Sequence, residues 1–364
     1  MSALPSAEKS PGGELAQALQ TIAGRARARD QEAVPAFPED AILLLEQAGA
    51  LAFNAQPGLR RPAAAAELAL VRSIAAADGS VGRIFDGHLN AVERIVVHAP
   101  RALRDRELEA ARDRRMRAGV WGGDPIPGEG PPAKIVPVAG GEALRGVKTF
   151  CSGAGGLHRA VVLARDEEAG MPGAVWIDLT DEAAVEVDQS WYRGQGLRAS
   201  VSHRVVFHDA PVLARLGAPG GFSAPPWFAR DALRTAAHWA GMADTAVAGA
   251  LRELADRPRR GQLEGLAAGR ILTAQRTIGL WIDAAGGAMD VGSPGLDRFA
   301  LHARAAISDA CRVLLDEAAR ATGSRPFATG GALDRARRDL ELFLLQHRLE
   351  PMLARAGEAA LAER

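Results

Sequence analysis

Leu144-Arg145-Gly146-Val147-Lys148-Thr149-Phe150-Cys151-Ser152-Gly153-Ala154 is the stretch on which the fold turns. It lies between two short apolar runs, Lys134-Ile135-Val136-Pro137-Val138 and Ala160-Val161-Val162-Leu163-Ala164, whose length and β-branched content predict strands. Ala174–Ile177 and Val205–Phe207 repeat the pattern, with turn residues between. The stretch closes on Ser152-Gly153. A serine hydroxyl can cap its own backbone in a turn, and a glycine lets the chain approach a neighbour or a ligand closely.

Working outward, a Gly/Pro-rich run from Trp121 to Pro132 opens this β-like region and a second, Gly217–Pro226, closes it. On its N-terminal side the period is helical: Leu15, Leu19 and Ile22 share a face, Ile42 and Leu45 begin another, and Leu68, Val71 and Ile74 a third. Asp78-Gly79-Ser80 breaks the pattern before Ile84–Val97, and a charged helix is expected from Pro100 to Arg117. Beyond Trp227 the helical period returns through Leu233–Leu254, Leu263–Ala288, Leu296–Ala321 and Leu333–Leu361. The expected architecture is α+β: a helical N-terminal domain over 1–118, a central β-barrel-like domain over 119–220 and a C-terminal helical bundle over 221–364.

The chain has 364 residues, 48% hydrophobic and 24% charged, a balance that suits a globular protein with a substantial core. Its 44 basic and 44 acidic residues cancel, so there is no electrostatic reason to seek nucleic acid or an anionic membrane. All but Lys9, Lys134 and Lys148 of the basic residues are arginine, a bias that base composition alone would explain. Cys151 and Cys311 form no metal-binding or disulfide pattern, Met1–Glu14 lacks the apolar stretch of a secretory signal, and no apolar run is long enough to span a bilayer. A cytoplasmic protein is expected, with no metal.

Two patterns mislead. Gly194-Gln195-Gly196-Leu197-Arg198-Ala199 has the spacing of a dinucleotide fingerprint, but a strand-like segment follows it where a helix should open. His203 and His208, five apart on that segment, point to opposite faces and cannot share a metal.

With the helix–β–helix order, Leu144–Ala154 resembles the β-domain turn of the acyl-CoA dehydrogenase superfamily, where a G-x-K-x-(W/F)-x-(S/T) motif runs along the flavin. Gly123-Asp124-Pro125 with Gly128 and Gly130 is similar to the family's acidic Pro/Gly loop. Gly196–Ser200 leading to Val206–Val212 resembles its closing strand pair, and Leu333–Asp339 its C-terminal helix. The resemblance implies a flavin-dependent oxidoreductase that binds FAD, with FMN the other flavin that fits. Ser152 would lie beside flavin N5, and Phe150 and Trp121 would offer flat apolar surface. Backbone amides from Cys151 to Gly153 would reach the pyrimidine edge. Arg257 would meet the FAD pyrophosphate across a subunit interface, as a guanidinium fork suits phosphate. The chain ends at Arg364, short of the family's final segment, which bears on the adenosine end of the site.

Many family members place a catalytic carboxylate eight residues beyond the position of Asp339; here His347 stands there. Leu340, Phe343, Leu344 and His347 share a helical stripe that would turn the imidazole inward, either as a core residue or as a general acid or base. Asp244 and Glu253 are the candidates for a carboxylate from another helix. The leading expectation is hydride transfer from an acyl thioester, such as a CoA ester, to flavin N5, with an electron-transfer flavoprotein as acceptor. The alternative is a two-component monooxygenase using O2 and reduced flavin from a reductase, a chemistry that His347 suits. A catalytically degenerate binding protein is the third reading. A homo-oligomer, tetramer or dimer, is implied by the resemblance.

Overall fold

Helix α1, Pro11–Asp30, begins the part of the chain that the computed structural model describes: residues 11–59, 61–258, 261–291, 294–346 and 348–363. Helices α2 (Glu39–Gln47), α3 (Ala64–Ala77), α4 (Gly79–His98) and α5 (Arg101–Arg112) follow. The break between α3 and α4 has a definite cause. Asp78 caps α4 by accepting the Ser80 and Val81 amides at 2.9 and 3.2 Å, while its other oxygen takes Arg29 Nε at 3.0 Å. Helix α5 stops short of the expected Arg117, because Arg114 turns into the left-handed region at φ +60°. Arg117 instead directs its side chain to Glu39 and Glu46 of α2 and leads into the first strand.

Seven strands follow: β1 (Ala118–Trp121), β2 (Lys134–Val138), β3 (Gly141–Cys151), β4 (Arg159–Asp166), β5 (Met171–Asp178), β6 (Val185–Asp188) and β7 (His203–Arg215). Their order is β1-β4-β2-β3-β7-β5, and β5 also pairs with β4, so the sheet closes on itself as a small barrel. Closure removes the free edges an open sheet would expose. Strand β3 bulges at Gly146, whose φ of +117° and 2.7 Å clearance from Pro132 O for any added Cβ require glycine. Trp176, Val175 and Val205 fill the sheet's buried faces.

The remaining helices are α6 (Trp227–Ala255), α7 (Gln262–Val291), α8 (Leu296–Thr322), the short α9 (Arg325–Ala328), α10 (Ala332–Leu344) and α11 (Glu350–Ala362). Helix α6 packs against α3, α8 and α10, and α4 lies against β1. His88 of α4 fixes that last contact: its Nε2–H donates to Leu51 O at 2.8 Å, and its Nδ1 accepts the Ala118 amide at 3.1 Å. Leu340, Phe343 and Leu344 are buried as their stripe predicts, and α10 ends at Leu344. No described helix is long and apolar enough to cross a membrane.

Candidate functional site

A cavity of about 550 Å³ opens between the barrel and the helices. Its two walls differ in chemistry. The barrel wall is mostly apolar, made of Val120, Gly122, Gly123, Phe150, Ser152 and Leu163. The helical wall carries the polar groups of Arg83, Asp86 and Asn90 from α4, Asp231 and Thr235 from α6 and Arg304 from α8, set among Phe228 and Ala232 of α6 and Leu342 and Phe343 of α10.

The barrel wall is shaped by Leu144–Ala154. Lys148, 2% exposed, donates from Nζ to Asp124 Oδ1 at 2.7 Å and to Gly122 O at 3.3 Å, which pins the Gly122–Asp124 loop to β3. Gly123 bridges to Thr149 so closely that a Cβ there would stand 2.5 Å from Thr149 O. Phe150 follows with φ +54° and is 60% exposed, its ring edge-on to Trp191 at 4.9 Å. A bulky residue in the left-handed region is an outlier, and Leu197 and Val201 nearby in sequence to Ser202 share it. Such strain gathers at functional sites. Between these residues runs a chain of hydroxyls: Ser152 Oγ to Ser202 Oγ at 2.9 Å, and Ser202 Oγ to Ser200 Oγ at 2.8 Å, all three serines buried.

The expected flavin contacts divide accordingly. Phe150 and Ser152 line the cavity. Trp121 does not; it is 1% exposed, packs near Phe207 and donates its indole N–H to Ser152 O at 3.0 Å, supporting the loop from behind. Cys151 is fully buried, and burial pushes its thiol far above the ordinary range. The Ser152 amide donates to Phe150 O and the Gly153 amide to Ser200 O at 2.7 Å, so these two amides are satisfied within the protein. Arg257 lies outside the cavity lining, with Nη1 on Glu264 Oε1 at 2.8 Å and Nη2 on Ala321 O. His347 lies outside the described residues; Leu345 and Gln346 before it line the cavity.

The alternative carboxylates are elsewhere. Asp244 is held by Arg72 at 2.7 and 2.9 Å and by Gln275, and Glu253 is exposed. His203 is buried while His208 is exposed beside Glu186, as strand alternation requires. Among the described residues no cluster of potential ligands could hold a metal ion.

The charged lining of the helical wall had no local signature in the sequence. Asp86, with no exposed surface, takes Arg83 Nη1 at 3.2 Å and Asn90 Nδ2 at 3.3 Å, and burial raises its carboxyl above the usual range. Asp231 is raised by burial too, against the pull of Arg94 and of Arg234, whose Nη1 lies 3.1 Å away. Arg304, 3% exposed, stacks 5.1 Å from the Trp239 ring centre; its Nε and Nη2 have no hydrogen-bond partner among the described residues.

No protein-family model and no curated protein matches the chain. Among solved structures it is similar to FMN-bound TdsC from Paenibacillus sp. A11-2, a dibenzothiophene monooxygenase, at 20% identity and TM-score 0.84 over 97% of this chain and 98% of that one. It is also similar to KijD3 in complex with FMN and a dTDP-sugar, at 20% identity and TM-score 0.80 over 99% and 96% of the two chains. Methanesulfinate monooxygenase MsuC from Pseudomonas fluorescens matches at 18% identity and TM-score 0.76, with 98% of each chain covered. The chain has the acyl-CoA dehydrogenase-like fold, helices flanking a small barrel.

Proposed function

We propose that the protein is a flavin-dependent monooxygenase that takes reduced FMN and O2 and acts on a compact, polar small molecule. The observation that carries this reading is the asymmetry of the cavity, mostly apolar on the barrel side and, on the helical side, carrying charged groups among apolar ones. The barrel wall fits a flavin ring: Phe150 and Leu163 offer apolar surface, Gly122 and Gly123 permit close approach, and the Ser152 hydroxyl can donate or accept a hydrogen bond. A reduced flavin supplies the electron pair that dioxygen chemistry needs. Ser152 holds the ring's polar edge, backed by Ser202 and Ser200, while the helical wall orients the substrate and limits water.

Hydride abstraction from an acyl thioester, the leading expectation from sequence, asks for a free carboxylate base and an apolar acyl channel. Asp86 and Asp231, the carboxylates lining the cavity, are both engaged by guanidinium groups, so neither is the free base that step needs. His347 is the acid–base group of this proposal. FMN is preferred to FAD because TdsC and KijD3 were solved with FMN. A flavin reductase is then the implied partner, and exposed Leu263, Leu266 and Leu280 on α7 support self-association. Titration with FMN, followed by anaerobic addition of an acyl-CoA, tests the choice. FMN is expected to bind without being bleached by the thioester; bleaching would establish the dehydrogenase.

A further inference from the structure

Arg304 is the one guanidinium of the cavity wall that the described residues leave without an anion. Arg83 has Asp86 at 3.2 Å. Behind the wall, Arg94 and Arg234 share Asp231, and Arg230 and Arg234 share Glu67 and Glu93. No carboxylate lies within 4.0 Å of Arg304 among the described residues. Asp86 is near enough to favour its charge, but is already committed to Arg83 and Asn90. Burial lowers Arg304 only to about 10, so it stays cationic at neutral pH. Its Nε and Nη2 are buried without a partner among the described residues, where the Trp239 face, 5.1 Å away, supplies only a cation–π contact. A buried polar group left unsatisfied in this way calls for a partner that arrives from outside.

We infer that Arg304 is the anion-binding group of the substrate pocket, and that the substrate carries a small oxoanion, a carboxylate or a sulfur oxoacid, which completes the charge balance of the helical wall. This rests on the flavin reading only in assigning the ligand to the substrate; the anion site itself stands on Arg304 and the cavity. The planar guanidinium matches such a group with paired N–H···O bonds. The substrate's anionic end then points at α8, and its reacting end faces the barrel wall and Ser152.

The test uses the full chain with and without FMN, and follows thermal unfolding and calorimetric binding with acetate, benzoate, methanesulfonate and benzenesulfinate, with benzamide as the uncharged control. At least one oxoanion is expected to bind and raise the melting temperature while benzamide does not. Arg304→Met is expected to weaken that binding by about 10- to 100-fold, and Arg304→Lys by less. Without ligand, Arg304→Met should be at least as stable as the parent, since it removes an uncompensated buried charge. Failure of all four anions to bind, equal binding by Arg304→Met, or a ligand-free melting temperature lowered by Arg304→Met would overturn the inference. FMN titration of the same samples separates the two readings. Flavin binding without anion binding rejects the Arg304 site alone, whereas anion binding without flavin binding rejects the monooxygenase and keeps the anion site.

Discussion

Phe150, Cys151 and Ser152 show how far a residue-level reading reaches. Named together from one contiguous run, they part company because side chains alternate along a strand: Cys151 turns into the barrel while Phe150 and Ser152 face the cavity. Trp121 was drawn to the site by its position beside the glycine loop, but its indole supports Ser152 from within the core. Asp86, Asp231 and Arg304 were illegible for a different reason. They come from three helices far apart in sequence, and a charge in a helical period reads as a solvated face until the packing is known. Ser152→Ala and His347→Ala are each expected to lower turnover with reduced FMN by about 100-fold. Flavin affinity should change little in His347→Ala and fall in Ser152→Ala, which removes a hydrogen bond to the ring. Retained turnover would return Ser152 to a turn-capping role and His347 to a structural one.

At the level of elements, helix α4 is placed by His88. Burial holds its imidazole down at about 4, from an ordinary 6.5, despite the bond to Leu51 O. The unfolded chain therefore takes up a proton below pH 6.5 that the folded chain accepts only near pH 4. The stability that neutral His88 contributes is complete above pH 6.5 and is lost as the pH falls toward 4. His88 alone should lower the unfolding free energy by about 2 kcal/mol between pH 7 and pH 5. His88→Gln keeps a donor and an acceptor at the site and should flatten the profile by that amount in urea titrations at both pH values; an unchanged slope would show that His88 does not titrate with unfolding. The strands at Lys134–Val138, Ala160–Ala164 and Ala174–Ile177 were legible because their apolar runs are short and bounded by turns. Strand β1 was hidden because it is only four residues long and runs straight into the Gly/Pro run, and α5 extends less far than expected because nothing local in its arginine-rich end marks the left-handed turn at Arg114.

For the whole molecule, the helix–barrel–helix order was visible in the changes of hydrophobic period, and the arginine excess takes on a structural meaning. Arg94 and Arg234 have no exposed surface, and with Arg230 they join Glu67 of α3, Glu93 of α4 and Asp231 of α6 into one buried network under the helical wall. Base composition accounts for the arginine count; it does not account for guanidinium forks, which lysine could not replace, at these positions. That network stiffens one side of the cavity while the barrel supplies the other, an arrangement suited to holding a substrate against a flat cofactor. FMN reduced anaerobically and mixed with air-saturated buffer, with and without excess protein, tests this most directly. The flavin-monooxygenase reading predicts that the protein alters the time course by which oxidised-flavin absorbance returns, slowing it at least several-fold or splitting it into phases; a trace superimposable on that of free FMN would contradict it.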